Sequence, residues 1–150
     1  MLSYQHIYHA ANLADVHKHA VLARILEYLT RKNKPVTYVE THAGRAVYNL
    51  NDSAAQKTGE AKQGLLAIEG KSWFASDHPY MRVLEQTRSL RGPDAYPGSP
   101  TIAGELLRPT DSLHLAELHP QESAALKKEL RHHAHVYVQD GFEMARSICP

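Results

Sequence analysis

The amino-acid sequence predicts an α/β fold built on parallel strands, from two observations. Three short runs of β-branched and aromatic residues, at 36–40, 113–118 and 136–139, alternate with stretches of helical periodicity. Strands separated by helices form right-handed parallel units whose helices cover the sheet. The first run also ends in a glycine turn, residues 41–44 of sequence THAG, at the position where open α/β sheets bind ligands.

The first helix is predicted at residues 13–32. Asn12 can cap its start, with Asp15 at the third position in a capping-box-like arrangement. The apolar residues that follow keep helical spacing until Pro35 stops the pattern. The preceding residues 1–11 are aromatic and rich in histidine but show no periodicity, which predicts an extended arm.

Residues 51–91 are predicted to form a small inserted helical subdomain containing two short helices. A dinucleotide-type site places an acidic residue about 20 positions beyond the glycine turn. Here Glu117 lies much farther beyond Gly44 than that, and the additional residues match the inserted subdomain. The predicted core therefore comprises residues 1–50 and 92–150.

The second half of the core continues the alternation. Its glycines and prolines predict turns at 92–98. Ser99 is then predicted to cap a helix that has Pro100 at its first position. A last helix is predicted at 120–132, between the second and third strands.

Composition excludes several classes of protein. Lys and Arg number 17 against 16 Asp and Glu, whereas domains that coat nucleic acid by bulk charge have a pI above about 9. The apolar runs are shorter than the ~20 residues of a membrane span, and the N-terminus lacks a signal peptide pattern, so we expect a cytoplasmic protein without a membrane partner. The single cysteine, Cys149, and 11 histidines without ligand spacing predict no metal site.

Polar residues at the predicted strand ends match a nucleotide-type ligand. Glu117 can accept hydrogen bonds from two ribose hydroxyls. Asp140 can accept from an adenine amino group, and Gly141 lets the backbone approach the ring. Ser99, after Gly98 at a helix N-terminus, can bind a carboxylate through its hydroxyl and backbone N–H groups. Each also has a plain structural interpretation, as a solvated strand-end glutamate, an Asp-Gly turn and an N-cap.

Three further residues are expected near the same edge of the sheet. Lys18 and His19 fall in the first turns of the first helix, and His42 lies in the glycine turn. A single histidine is more often a structural group than a ligand. Their expected convergence at the mouth of the sheet favours a shared cofactor site.

Read together, motifs spread in order along nearly the whole chain resemble the RlmJ family, bacterial adenine-N6-methyltransferases of 23S ribosomal RNA. The motifs are LSY at 2–4, HA at 9–10, ADV at 14–16, KH at 18–19, THAG at 41–44, Tyr48, PGSP at 97–100, ELHP at 117–120 and DGF at 140–142. The resemblance implies a Rossmann-like S-adenosylmethionine-dependent methyltransferase fold with parallel strands and a small inserted helical subdomain. It also implies S-adenosylmethionine as cofactor and 23S ribosomal RNA as partner of a monomeric, RNA-binding enzyme.

The resemblance also implies roles for individual residues. The cofactor contacts carried over by position are His19, His42, Ser99, Glu117, Asp140 and Gly141, with Lys18 beside them. Tyr4 corresponds to an RNA-contacting residue in an arm that folds over the active site.

The sequence departs from the family pattern in two places. Glu40 stands where the family usually has Asp, and residues 45–47, of sequence RAV, replace a glycine-containing stretch that ends in Arg. An Asp-Pro-Pro-Tyr type motif, which holds the target amine in adenine-N6-methyltransferases, is absent from this sequence. The catalytic residues are therefore unassigned, and we expect the N-terminal portion of a longer enzyme, inactive alone.

Two other functions compete with this interpretation. One is a non-catalytic nucleotide-binding or nucleic-acid-binding protein, including the older family description of a role in the catabolism of external DNA. The other is an NAD-type oxidoreductase, which is disfavoured because the turn after Gly44 lacks the Gly-x-Gly-x-x-Gly pattern.

Overall fold

The computed structural model describes residues 5–130 and 134–149. The helices are α1 Leu13–Thr30, α2 Ser53–Thr58, α3 Glu60–Gln63, α4 Leu65–Ile68, α5 Pro79–Arg91, α6 Ser99–Leu106, α7 Pro120–Glu129 and α8 Gly141–Ile148, and a 3-10 turn spans His6–Tyr8. The strands are β1 Thr37–Glu40, β2 Val47–Asn49, β3 Ala95–Pro97, β4 Ser112–Ala116 and β5 His135–Tyr137.

Three parallel strands form the main sheet, in the order β1-β4-β5. Glu40 is opposite Leu115, and His114 is opposite His135. Each strand matches one of the three predicted runs, so the predicted α/β class is confirmed. The strands end earlier than predicted, at Ala116 in β4 and Tyr137 in β5, which leaves the polar residues that follow them free to line a site.

A second, two-stranded sheet was not predicted. Strands β2 and β3 pair antiparallel, with Tyr48 opposite Tyr96. The prediction of turns over residues 92–98 is wrong for Ala95–Pro97, which lies buried in this ladder. The glycines and prolines around β3 are typical of turns, and its pairing partner β2 lies far away in the sequence.

Helix α1 begins as predicted but ends two residues earlier, at Thr30. The Asn12 side chain accepts the Asp15 N–H at 2.9 Å, which confirms the cap. At the other end the Arg108 guanidinium donates to the carbonyls of Thr30 at 2.9 Å and Lys34 at 3.0 Å. Arg108 therefore satisfies carbonyls at and beyond the end of the helix, in the segment that leads to β1.

The described part of the N-terminal segment is not an extended arm, which corrects the prediction. Ile7 and Ala10 are buried, and residues 6–8 form a 3-10 turn. The Ala11 N–H donates to the Asp15 carboxylate at 3.1 Å, which ties this segment to α1. Residues 1–4 lie outside the described part of the chain.

The region 51–91 contains four helices rather than two, because its first half divides into α2, α3 and α4. Gly64 separates α3 from α4 and lies against the start of α1. A Cβ added at Gly64 would come within 2.1 Å of the Ala11 carbonyl oxygen. The Leu65 N–H donates to that same oxygen at 2.9 Å. The helices are therefore docked closely on α1, while the division into core and insertion stays a prediction.

Two clusters of buried apolar residues hold these elements together. One joins α1 to α2–α5 and includes Leu65, Tyr80 and Leu84. The other joins the sheet to α1, α6 and α7 and includes Leu115 and Leu126. Within residues 5–130 and 134–149, every helix is too short or too polar to cross a membrane.

Candidate functional site

A cavity of about 710 Å³ opens at the carboxyl ends of the parallel strands. Its wall includes all of the predicted cofactor-binding residues, namely Lys18, His19, His42, Ser99, Glu117, Asp140 and Gly141. The parallel topology explains the convergence of His42, Glu117, Asp140 and Gly141, because they follow strands β1, β4 and β5, which end at the same edge. Helices α1 and α6 bring the other three residues to the cavity. The cofactor roles of these residues stay predictions.

Glu117 is fixed by the backbone on both sides. Its Oε2 accepts the Gly44 N–H at 2.8 Å, and its Oε1 accepts the His119 N–H at 2.7 Å. Each carboxylate oxygen has further acceptor capacity, so the side chain can still receive hydroxyl groups from the cavity. A carboxylate held in one orientation is suited to a pair of adjacent hydroxyls.

The glycine turn beside Glu117 has an unusual backbone. Gly44 has a φ of 68° and Ala46 a φ of 71°, both in the left-handed region. The Val47 N–H donates to the Arg45 carbonyl at 2.9 Å, which closes a three-residue γ-turn around Ala46. Alanine carries a steric cost in this region that glycine does not. The turn therefore stores strain at the cavity wall.

Ser99 does not cap α6, which corrects the prediction. Gly98 occupies the N-cap position, and the Ser99 hydroxyl donates to the Glu40 carboxylate instead. The Tyr38 hydroxyl donates to the other oxygen of Glu40 at 3.1 Å. Burial raises the pKa of Glu40 to about 7, although these two hydroxyls and the charge of Lys18 oppose the shift. Glu40, which stands where the family usually has Asp, thus contacts Ser99 at the cavity wall.

His19 is a buried, neutral histidine. Its Nδ1 lies 2.8 Å from the hydroxyl of Tyr96, which is fully buried in β3. Burial lowers the pKa of His19 to about 4, against the attraction of Asp15. The ring can therefore act toward a ligand as a neutral hydrogen-bonding group.

Lys18 and His6 share the carboxylate of Asp15. The Lys18 ammonium lies 3.0 Å from Asp15 Oδ1, and the His6 Nε2 lies 2.7 Å from Oδ2. Burial disfavours the charged carboxylate, but its interactions with His6, His19 and Lys18 together outweigh this effect and lower the pKa of Asp15 to about 2. Asp15 therefore holds both side chains at the cavity.

The segment that follows β5 contributes Asp140 and Gly141 to the cavity wall. Asp140 caps α8, and both of its cap bonds, to the N–H groups of Phe142 and Glu143, fall on Oδ1. Gly141 is required by packing, because an added Cβ would lie 2.0 Å from the Thr41 carbonyl oxygen. His42 is exposed and packs edge-on against the Phe142 ring at 5.5 Å.

Several residues of the cavity wall are not assigned to the site by the sequence, among them Asp15, Tyr48 and Glu122. Asp15 was interpreted as a capping residue, although its position one turn before Lys18 placed it on the same helix face. Glu122 belongs to no motif, and only the fold brings it to the cavity.

Two other predictions concern this region. Tyr4, the predicted RNA-contacting residue, lies outside the described residues. In the described part of the chain, no three His, Cys, Asp or Glu side chains are arranged to hold a metal ion.

Comparison with known proteins identifies the family of the chain. A profile of the family described as "Ribosomal RNA large subunit methyltransferase D, RlmJ" matches residues 33–150. The chain belongs to the RlmJ family. Over its whole length it is 40% identical to the ribosomal RNA large subunit methyltransferase J of Escherichia coli and 38% identical to that of Haemophilus influenzae.

The chain spans about half the length of these relatives, covering 55% of each. A crystal structure of a Legionella pneumophila protein matches it with a TM-score of 0.81 and 38% identity, over 94% of this chain and 53% of that one. These matches confirm the predicted family and the methyltransferase-type fold of the RlmJ family.

Proposed function

We propose that the cavity binds S-adenosylmethionine and that the protein methylates N6 of an adenine in 23S ribosomal RNA. The observation that carries the proposal is the Glu117 carboxylate, held by the Gly44 and His119 N–H groups at the edge of a parallel sheet. Membership of the RlmJ family, and relatives named ribosomal RNA large subunit methyltransferase J, support the reaction.

The residues of the cavity fit this cofactor. Glu117 accepts the ribose hydroxyls. Asp140 uses one oxygen to cap α8, so the other can accept the adenine amino group. The Ser99 hydroxyl is committed to Glu40, so a carboxylate here is bound by the backbone N–H groups at the start of α6. Lys18 and His42 complete the wall.

S-adenosylmethionine, when bound, supplies a methyl group on a sulfonium. The amine of adenine is a weak nucleophile because its lone pair is delocalised into the ring, so it must be held in line with that methyl. Residues in this chain orient the cofactor. The Asp-Pro-Pro-Tyr type motif that positions the amine is absent from these 150 residues. We therefore assign cofactor binding to this chain and expect no methyl transfer from it alone.

For RNA binding, Tyr4 is the proposed contact. Enzymes that modify a base take it out of its stack, and an aromatic side chain can replace ~1 to 3 kcal/mol of stacking per base. In the full-length enzyme, Tyr4→Ala is expected to lower methyl transfer about tenfold and leave cofactor affinity unchanged. A parallel fall in cofactor affinity would show that Tyr4 has a structural role instead. We propose a monomer acting in the cytoplasm.

Calorimetric titration with S-adenosylmethionine and transfer of labelled methyl groups to unmodified 23S rRNA test the proposal. We expect binding to this chain, and label on adenine N6 with the full-length enzyme only. Absence of binding would refute the cofactor assignment. The missing amine motif favours a second candidate, a non-catalytic nucleotide-binding protein, which predicts binding without label transfer by any form of the protein.

A further inference from the structure

Two loops meet at the edge of the cavity. One is the loop 41–46 after β1, which contains the glycine turn, and the other is the loop 117–119 between β4 and α7. Glu117 bridges them, because one of its oxygens accepts the Gly44 N–H and the other the His119 N–H. The orientation of this carboxylate therefore depends on where the glycine turn lies relative to the start of α7.

A partly buried ion pair makes a second connection, from the loop after β1 to the first turn of α7. The Arg45 guanidinium donates to both oxygens of Glu122, from Nε at 2.9 Å and from NH2 at 2.5 Å. Glu122 is only 3% exposed and lies in the first turn of α7, where the helix dipole favours a carboxylate. Bidentate pairing fixes direction as well as distance.

The glycine turn needs such a restraint because its backbone is strained. Ala46 has a φ of 71° and sits inside a γ-turn. The carbonyl of Ala46 also accepts the Gly98 N–H at 2.6 Å and the Thr101 hydroxyl at 2.8 Å. The turn is thus anchored to α6 through Ala46 and to α7 through Arg45.

We propose that Arg45 and Glu122 are positioning residues for cofactor binding. Their ion pair sets the glycine turn against α7, which holds the Gly44 N–H on Glu117 and so orients the carboxylate toward the cavity. The inference rests on the proposed function, and it assigns Arg45 and Glu122 no contact with the cofactor.

Calorimetric titration with S-adenosylhomocysteine tests the inference. Each variant is made in the same chain as the wild type, and its Kd is compared with the wild-type Kd. Arg45→Met is expected to raise the Kd about tenfold, somewhat less than the loss expected on removing the Glu117 carboxylate itself. Because the effect passes through Glu117, Arg45→Met should change the Kd less than twofold in a Glu117→Ala background. Arg91→Met is the matched control, since it removes an ion pair with Glu129 at the far end of α7. It should leave affinity unchanged.

Four results separate the explanations. An unchanged Kd in folded Arg45→Met, or an equal loss with and without Glu117, would overturn the positioning role. If Arg45→Met does not fold, Arg45→Lys decides, because it keeps the charge and loses the bidentate geometry. It should weaken binding at an unchanged melting temperature, and wild-type affinity would overturn the role. Failure of the wild type itself to bind would instead refute the proposed function.

Discussion

Glu117 and Gly44 are joined across the ends of two neighbouring strands, with the carboxylate Oε2 2.8 Å from the backbone nitrogen. The contact joins the glycine turn to the strand-end acid. Since β1 and β4 are parallel neighbours, residues distant in the sequence meet at one edge of the sheet.

We predict that Glu117→Ala weakens S-adenosylmethionine binding by on the order of 1.5 to 3 kcal/mol, the scale for hydrogen bonds to a charged group. Calorimetric titration of both folded proteins measures the difference. Glu105→Ala, which removes an exposed carboxylate from α6, is the control and should bind as the wild type does. Equal dissociation constants for wild type and Glu117→Ala would remove Glu117 from the site.

The stability of the protein should depend on pH through Glu40. Burial raises its pKa from 4.5 to about 7, so the native state keeps a proton that the unfolded state releases. The free energy of unfolding therefore falls as pH rises from 4.5 to 7 and, as far as this group contributes, is level above it.

Glu40→Gln mimics the protonated acid and should abolish that fall. We expect it to match the wild type at about pH 4, below the unfolded-state pKa of 4.5, and to be about 1–3 kcal/mol more stable at pH 8. Urea denaturation at both pH values measures the effect. Glu85→Gln, on the exposed side of α5, should follow the wild-type profile. A variant no more stable than wild type at pH 8 would contradict the raised pKa.

The hydroxyl of Tyr96 is expected to be important for stability. Tyr96→Phe leaves the buried Nδ1 of His19 without the partner it has at 2.8 Å, at a cost of about 1–3 kcal/mol. The matched control is Tyr137→Phe, whose hydroxyl lies 3.0 Å from Nδ1 of the half-buried His114, and it should lose less than about 1 kcal/mol. Equal losses in the two variants, measured by denaturant unfolding, would argue against a special role for the buried pair.

Ala46 should tolerate glycine but not valine. A β-branched residue is strongly disfavoured at positive φ and would crowd a fully buried site, so Ala46→Val should lower stability by about 2–4 kcal/mol. Ala46→Gly relieves the strain and loses a methyl group, and the net change should stay within about 1 kcal/mol. Thermal melting of both variants tests this. A valine variant as stable as the glycine variant would show that the backbone is not strained.

The sequence by itself determined the elements that depend on near neighbours. The Asn12 cap, the periodicity of α1 and the three β-type runs all appear in the structure. The parallel topology that they imply explains why His42, Glu117, Asp140 and Gly141 meet at one cavity, because these residues follow parallel strands that end at the same edge. Lys18, His19 and Ser99 reach the same cavity only through the docking of α1 and α6.

Tertiary structure alone decided which groups those side chains contact. Ser99 gives its hydroxyl to Glu40, 59 positions away, instead of capping its own helix, and Arg45 pairs with Glu122, 77 positions away. Strand β3 likewise exists only through its pairing with β2. Helix and strand patterns follow from the sterics of residues a few positions apart, whereas a hydrogen-bond partner is fixed only when distant segments dock.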